Sequence, residues 1–184
     1  MKEDIINEVY RLSNTYGLKK LTMSTLASSL KISKKTIYEY FESKDELINE
    51  VLDHYIKKNY DSLNHELKES SSIVEQLKIV CFLFIPRPYD FYENNIKEIE
   101  LYYPEKYSEL QKLMKYKTEK LINIYSKGIE LGIFEPNINP ITIAFISQSF
   151  LKTTYNENML DMNESKIPLF ESFYEILLYG CIKR

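Results

Sequence analysis

Leu21 to Leu47, LTMSTLASSLKISKKTIYEYFESKDEL, is the stretch whose reading decides the fold. Thr22 is a good N-cap for a short helix whose apolar stripe is Leu26, Ala27 and Leu30. Lys31 and Ile32 make a turn, and Ser33 caps a second short helix. Ser43 caps a third, with Glu46 three residues on, the spacing of a capping box. At about 100° per residue, a helix from Lys34 to Phe41 turns Ile37 and Phe41 inward. Lys35, Thr36 and Glu39 take the opposite arc, with Tyr38 and Tyr40 on the shoulders. Cations, hydroxyls and phenols on one short helix suit the edge of a DNA groove. Lysine donates to guanine O6 and N7, a carboxylate such as Glu39 accepts from cytosine N4, and tyrosines reach phosphate oxygens. Lys44 and the helix starts at Thr22 and Ser43 add anion-binding positions.

Charge supports that reading through its distribution. The 184-residue chain carries a formal net charge of −3. From Gly17 to Lys44, however, six lysines face two acids, a local surplus of +4 that leaves −7 elsewhere. Such a chain touches phosphates with one end only.

Upstream, Ile5, Ile6, Val9, Leu12 and Ser13 follow a helical period that Gly17 ends in a left-handed turn. The helix after Ser43 runs past Tyr60 and joins the basic head rigidly to the rest. The head is expected at residues 1–46 and a larger helical domain at 47–184. Ser70 to Ser72 start a helix with the stripe Ile73, Leu77, Val80, Cys81 and Phe84, which Pro86 and Pro88 end. Asp90 to Tyr103 forms a shorter helix. Pro104 opens a long one, carrying Leu110, Leu113, Met114, Leu121, Ile124 and Ile129, and Gly132 stops it. Asn139-Pro140 starts a helix to about Leu160, and the last spans roughly Ser165 to Ile182. The expectation is an all-α fold of about nine helices: a three-helix helix-turn-helix domain followed by a helical bundle.

With four glycines and six prolines, breakers are scarce and long helices follow. The longest apolar run, Ile79 to Ile85, is far short of the roughly 20 residues of a membrane span. The charged start, Met1 to Asp4, with no apolar segment behind it, predicts no export signal and a cytoplasmic protein. Cys81 and Cys181 both sit in apolar stretches and read as core thiols. His54 and His65 lie about 16 Å apart along a helix, too far to share a ligand. There is no Glu-x-x-His pair, Gly-rich phosphate loop or nucleophile elbow. Neither an enzyme nor a metal or cofactor is expected.

The sequence resembles the TetR family of bacterial transcriptional regulators over roughly residues 3 to 52. The resemblance rests on the helix from Ile5, the Gly17 stop, Leu21-Thr22, Leu26-Ala27, Ile32-Ser33-Lys34, Thr36-Ile37-Tyr38, Tyr40-Phe41, and Ser43-Lys44 followed by Glu46-Leu47. It implies DNA contact at Thr22, Ser33, Lys34, Lys35, Thr36, Tyr38, Tyr40 and Lys44. The family usually has glycine where Lys31 stands and often a small residue where Lys35 stands. Both departures add positive charge, and lysine tolerates a left-handed backbone poorly.

From Tyr55 onward the chain holds twelve tyrosines and eight phenylalanines. They suit either a helical core with a tyrosine rim or an apolar cavity lined by Phe84, Phe91, Tyr102, Met114 and Phe145. The resemblance implies such a cavity, for a small-molecule effector. It also implies a homodimer through the last two helices, at Gln148, Lys152, Tyr155, Phe170, Phe173, Tyr174 and Leu177. The sequence thus points to a ligand-responsive repressor released from a palindromic DNA operator, with no membrane partner. The alternative is a helical ligand-binding or scaffolding protein whose DNA head does not function.

Overall fold

The structure, a computed structural model, describes residues 1–83, 91–155 and 167–182. Among the described residues there are nine helices: α1 Lys2–Tyr16, α2 Met23–Leu30, α3 Lys34–Tyr38, α4 Lys44–Glu69, α5 Ile73–Leu83, α6 Phe91–Tyr102, α7 Pro104–Glu130, α8 Pro140–Tyr155 and α9 Ile167–Cys181. The fold is all-α, as the sequence implies. None of these helices is long and apolar enough to cross a membrane. Phe84, Pro86 and Pro88 lie outside the described residues, as does the stretch 156–166, into which α8 was expected to continue.

Local chemistry sets the helix ends. Gly17 stops α1 at φ 80°, and its N–H bonds the Ser13 carbonyl at 2.8 Å. Thr22 and Thr25 form a reciprocal capping box, each hydroxyl taking the other's backbone N–H. Ser33 accepts the Thr36 N–H at 3.0 Å, and Ser43 accepts the Glu46 N–H at 3.0 Å. Glu46 reaches back one residue further than a capping box requires, to the N–H of Glu42 rather than Ser43. In the second half, Ser72 caps α5 by accepting the Glu75 N–H, and Asn139 accepts the Ile141 N–H at 2.8 Å at the start of α8.

Packing gathers the chain into two compact units that are not consecutive in sequence. The first is Met1–Tyr60 with Pro86–Leu113, and the second is Asp61–Ile85 with Met114–Arg184. In the first unit, Ile5, Val9, Leu26, Ile37, Leu47, Ile48, Val51 and Leu52 are fully buried. Here α6 packs on α1. The Phe91 ring meets Tyr10 edge-on, centroids 5.0 Å apart, and also lies 5.7 Å from Tyr55. The Tyr10 hydroxyl donates to the Val51 carbonyl at 3.0 Å and meets His54 Nδ1 at 2.9 Å, and burial pushes its phenol up from the usual tyrosine value. The Glu98 carboxylate on α6 accepts the Lys19 N–H at 2.7 Å, and Tyr103 donates to Asp45 at 3.1 Å.

The second unit has its own core of Leu63, Ile73, Leu77, Val80, Cys81, Leu121, Ile124, Tyr125, Phe134, Ile143, Ala144, Tyr174 and Leu177. Tyr125 and Phe134 stack at 4.9 Å with planes 11° apart. Phe150 stacks on Phe173 at 4.0 Å and meets Phe170 edge-on. Gly132 takes φ 70° just past α7, the turn its position predicts.

Candidate nucleic-acid interface

Lys31 lies at the bend between α2 and α3 with φ 56° and ψ 37°, squarely left-handed. Its N–H bonds the Ser28 carbonyl and the Ile32 N–H bonds the Ala27 carbonyl, so two of the four orphan carbonyls at the end of α2 are satisfied. A side chain there crowds the following carbonyl, at a cost of about 1–2 kcal/mol that glycine escapes. Glycine also loses more backbone freedom on folding, about 0.5–1 kcal/mol. Lys31→Gly is therefore expected to raise stability by up to about 1 kcal/mol, roughly 2–4 °C in Tm for a chain of this size. The check is a thermal melt. A lower Tm would mean that the lysine side chain contributes more than its backbone costs.

The bend presents α3. Ile37 is 0% and Phe41 1% exposed, and together they seat the helix from behind. The regular helix ends at Tyr38, shorter than the sequence pattern suggests, yet the Phe41 N–H still bonds the Ile37 carbonyl at 3.1 Å. Both apolar side chains thus keep their inward direction. Lys34, Lys35 and Glu39 are exposed, and Tyr38 and Tyr40 remain 49% and 42% exposed. Ser33 and Thr36 share a hydroxyl contact of 2.9 Å at the N-cap. The seven expected positions Thr22, Ser33, Lys34, Lys35, Thr36, Tyr38 and Tyr40 all lie on the α2–α3 segment.

Lys44 is differently employed. Its ammonium donates to the Leu18 carbonyl at 2.8 Å and the Lys19 carbonyl at 3.2 Å. Burial holds its pKa below the ordinary lysine value, while Asp45 and Glu98 pull the other way. An ammonium has three donors, so two are spent on the α1–α2 connection and one is left for an anion. Glu98 holds the same connection from α6 through the Lys19 N–H. Nothing in the sequence marks Glu98, because the contact spans 79 positions.

The other expected sites are distributed as follows. Phe91 is 2% exposed and enclosed in the first unit, where Tyr102 is 46% exposed beneath the Lys19 ammonium. In the second unit, Met114 is half-buried and Phe145 is 69% exposed. Phe84 lies outside the described residues, and so do the side chains of Lys152 and Tyr155. Phe170, Tyr174 and Leu177 face their own chain's core, and Phe173 is half-buried against Phe150. Gln148 is exposed and donates to Thr118 at 2.6 Å. The buried face of α8 is Ile143, Ala144 and Ser147, which leaves Ile141, Phe145 and Ile146 outside.

A capped helix, a tight left-handed bend and a short basic helix seated on two apolar anchors make a helix-turn-helix, the DNA-reading motif of transcription regulators. Residues 5–51 match the family described as bacterial regulatory proteins, tetR family. It is 22% identical to IcaR of Staphylococcus aureus (strain Newman), the HTH-type negative transcriptional regulator of the biofilm operon icaADBC, over 96% of this chain and 97% of that one. Two solved structures share the fold at low identity. A protein from Saccharomonospora viridis in complex with choline aligns with a TM-score of 0.80 at 16% identity, over 100% of this chain and 98% of the other. The transcriptional regulator FadR of Bacillus subtilis in complex with stearoyl-CoA aligns with a TM-score of 0.66 at 18% identity, over 98% of this chain and 99% of that one.

Proposed function

We propose that the chain is a homodimeric repressor. Its heads, residues 1–46, bind the two halves of a palindromic operator. Its remainder, residues 47–184, carries the dimer contact and a site for a small-molecule effector that releases the DNA. The observation that carries this reading is α3, which Ile37 and Phe41 hold from behind while Lys34, Lys35, Tyr38 and Tyr40 stay exposed. IcaR's description as a negative regulator favours repression, and the choline and stearoyl-CoA complexes show that this fold accommodates small ligands. Such a regulator works where the chromosome is, in the cytoplasm.

Two heads on one duplex face need half-sites about 34–36 Å apart. To move the dimer from 1:99 to 99:1 between DNA-bound and released conformers, an effector must prefer the second by about 5.5 kcal/mol. Titration of the chain's own promoter DNA at several salt concentrations tests the reading. Affinity should fall steeply with salt, because neutralised phosphates release counterions. A flat salt response with no preference for any upstream sequence would overturn it.

The dimer contact is assigned to the apolar side chains that α8 and α9 leave exposed. Ile141 is 64%, Phe145 69%, Ile176 70% and Tyr179 70% exposed. Introducing charge with Phe145→Glu and Ile176→Glu together is expected to give a folded monomer in sedimentation analysis. A dimer of unchanged strength would move the contact elsewhere.

A further inference from the structure

Helices α1 and α6 meet along matched stripes. Tyr10, Asn14 and the C-cap Gly17 stand at i, i+4 and i+7 on α1, one face of a helix. Phe91, Asn95 and Glu98 repeat that spacing on α6. At one level the Tyr10 and Phe91 rings meet, centroids 5.0 Å apart. At another, a Cβ added to Gly17 would stand 3.0 Å from Glu98 Oε1. One sequence offset relates both pairs, and the same offset relates Asn14 to Asn95. The level between them therefore sets asparagine against asparagine.

Both amides are shut off from solvent, and neither is satisfied. Asn95 is 0% exposed, and its Nδ2 donates to the Phe91 carbonyl at 2.8 Å, which leaves Oδ1 without a partner. Because a carbonyl only accepts, that bond fixes which end of the amide is oxygen. On Asn14, neither Nδ2 nor Oδ1 has a hydrogen-bond partner. Neighbouring hydroxyls are committed elsewhere: Ser13 donates to the Tyr10 carbonyl, and Tyr10 to the Val51 carbonyl. Buried polar atoms are nearly always paired, because an unpaired one loses its hydration for nothing in return. The two amides are complementary, donor to acceptor, yet they make no direct hydrogen bond.

We infer that a single water molecule is bound between α1 and α6, held by Asn14 Nδ2, Asn14 Oδ1 and Asn95 Oδ1. The three atoms specify the occupant. Two acceptors and one donor call for a guest that gives two protons and takes one. Water does both, whereas an ammonium ion has no lone pair to offer and an anion has no proton for the carbonyl oxygens. A primary amide presents an N–H and its oxygen side by side, so one water closes a ring on Asn14 and turns its second proton to Asn95. Three hydrogen bonds are also the usual complement of a buried water. Polar groups that face each other beyond direct reach are where such a bridge forms. The water ties α1 to α6 at the level where their own side chains do not bond, between the aromatic contact and the Glu98 carboxylate that accepts the Lys19 N–H.

The first test is a crystal structure of the full wild-type chain. A density peak is expected within about 2.7–3.2 Å of all three amide atoms. A direct bond between the amides, a peak touching one amide alone, or amides turned to other partners would overturn the inference. The second test counts long-lived internal waters in solution by magnetic relaxation dispersion of the water oxygen. The Asn14→Leu, Asn95→Leu double variant, once a melt shows that it folds, should hold one fewer than the wild type. An unchanged count would overturn the inference, and should the double variant not fold, the wild-type density alone decides. In urea melts, each single leucine variant strands the opposite amide. The double variant should therefore lose less of the folding equilibrium constant than the product of the two single losses, by about fivefold. Losses that simply multiply would mean that the two amides share no guest.

Discussion

Replacing Lys34 and Lys35 together with alanine should nearly abolish operator binding and leave the fold intact. Both side chains are exposed at the start of α3, and neither supports the packing of Ile37 or Phe41 behind them. In the proposed dimer, two heads lose four cations. At about 1 kcal/mol for each lost contact, the low end for such interactions, affinity falls by roughly 10^3. The salt dependence should flatten as well, by up to about 3.6 in slope if all four meet phosphate, since each neutralised phosphate contributes about 0.9. The two lysines need not behave alike. A base-reading lysine changes the preference among sequences, whereas a phosphate-reading lysine weakens all DNA equally. Single variants measured on promoter and unrelated duplexes separate the two. Wild-type affinity in the double variant would remove α3 from the interface.

The second large effect concerns stability and runs against helix propensity. Gly128 lies inside α7, where alanine ordinarily gains about 1 kcal/mol over glycine. Here a Cβ would stand 2.0 Å from Phe134 Cδ2 and 2.3 Å from Cε2. Phe134 is fully buried and stacked on Tyr125, itself fully buried, so the ring has nowhere to go. The Phe134 N–H also bonds the Gly128 carbonyl at 3.1 Å, which ties the ring's backbone to the same spot. Overpacking a close-packed core costs typically 1–3 kcal/mol, and a rigid ring held on both faces belongs at the upper end. Gly128→Ala is thus expected to destabilise the chain by about 3 kcal/mol in urea melts. Adding Phe134→Leu, which trades the ring for a smaller side chain, should recover part of the loss of the single alanine variant. A neutral or stabilising Gly128→Ala would mean that the Tyr125–Phe134 stack shifts freely.

Helix positions were legible in the sequence because their signals are local. Gly17, Thr22, Ser33, Ser43 and Asn139-Pro140 act on backbone groups within four residues of themselves, and each stands at a helix end in the structure. The seating of α3 was legible for the same reason. The spacing of Ile37 and Phe41 sets an inward edge, and the cations and phenols fall on what remains. Lys31 could be recognised as an awkward residue for a left-handed turn, and that is the conformation it adopts.

The faces of α8 and α9 were not legible in this way. Both helices are apolar over most of their circumference, so periodicity cannot say which stripe packs inside. The structure buries Phe170, Tyr174 and Leu177 and exposes Ile141, Phe145, Ile176 and Tyr179. Nor could the sequence show that α6 joins α1 in one compact unit, or that Lys44 and Glu98 converge on the connection after Gly17. The sequence by itself determined the class of fold, the caps that start most helices and the short basic helix after Ser33, since capping, turn chemistry and charge act within one or two helical turns. Only the tertiary structure decided which apolar faces were buried and which cations stayed unpaired, because those outcomes depend on partners tens of residues away along the chain.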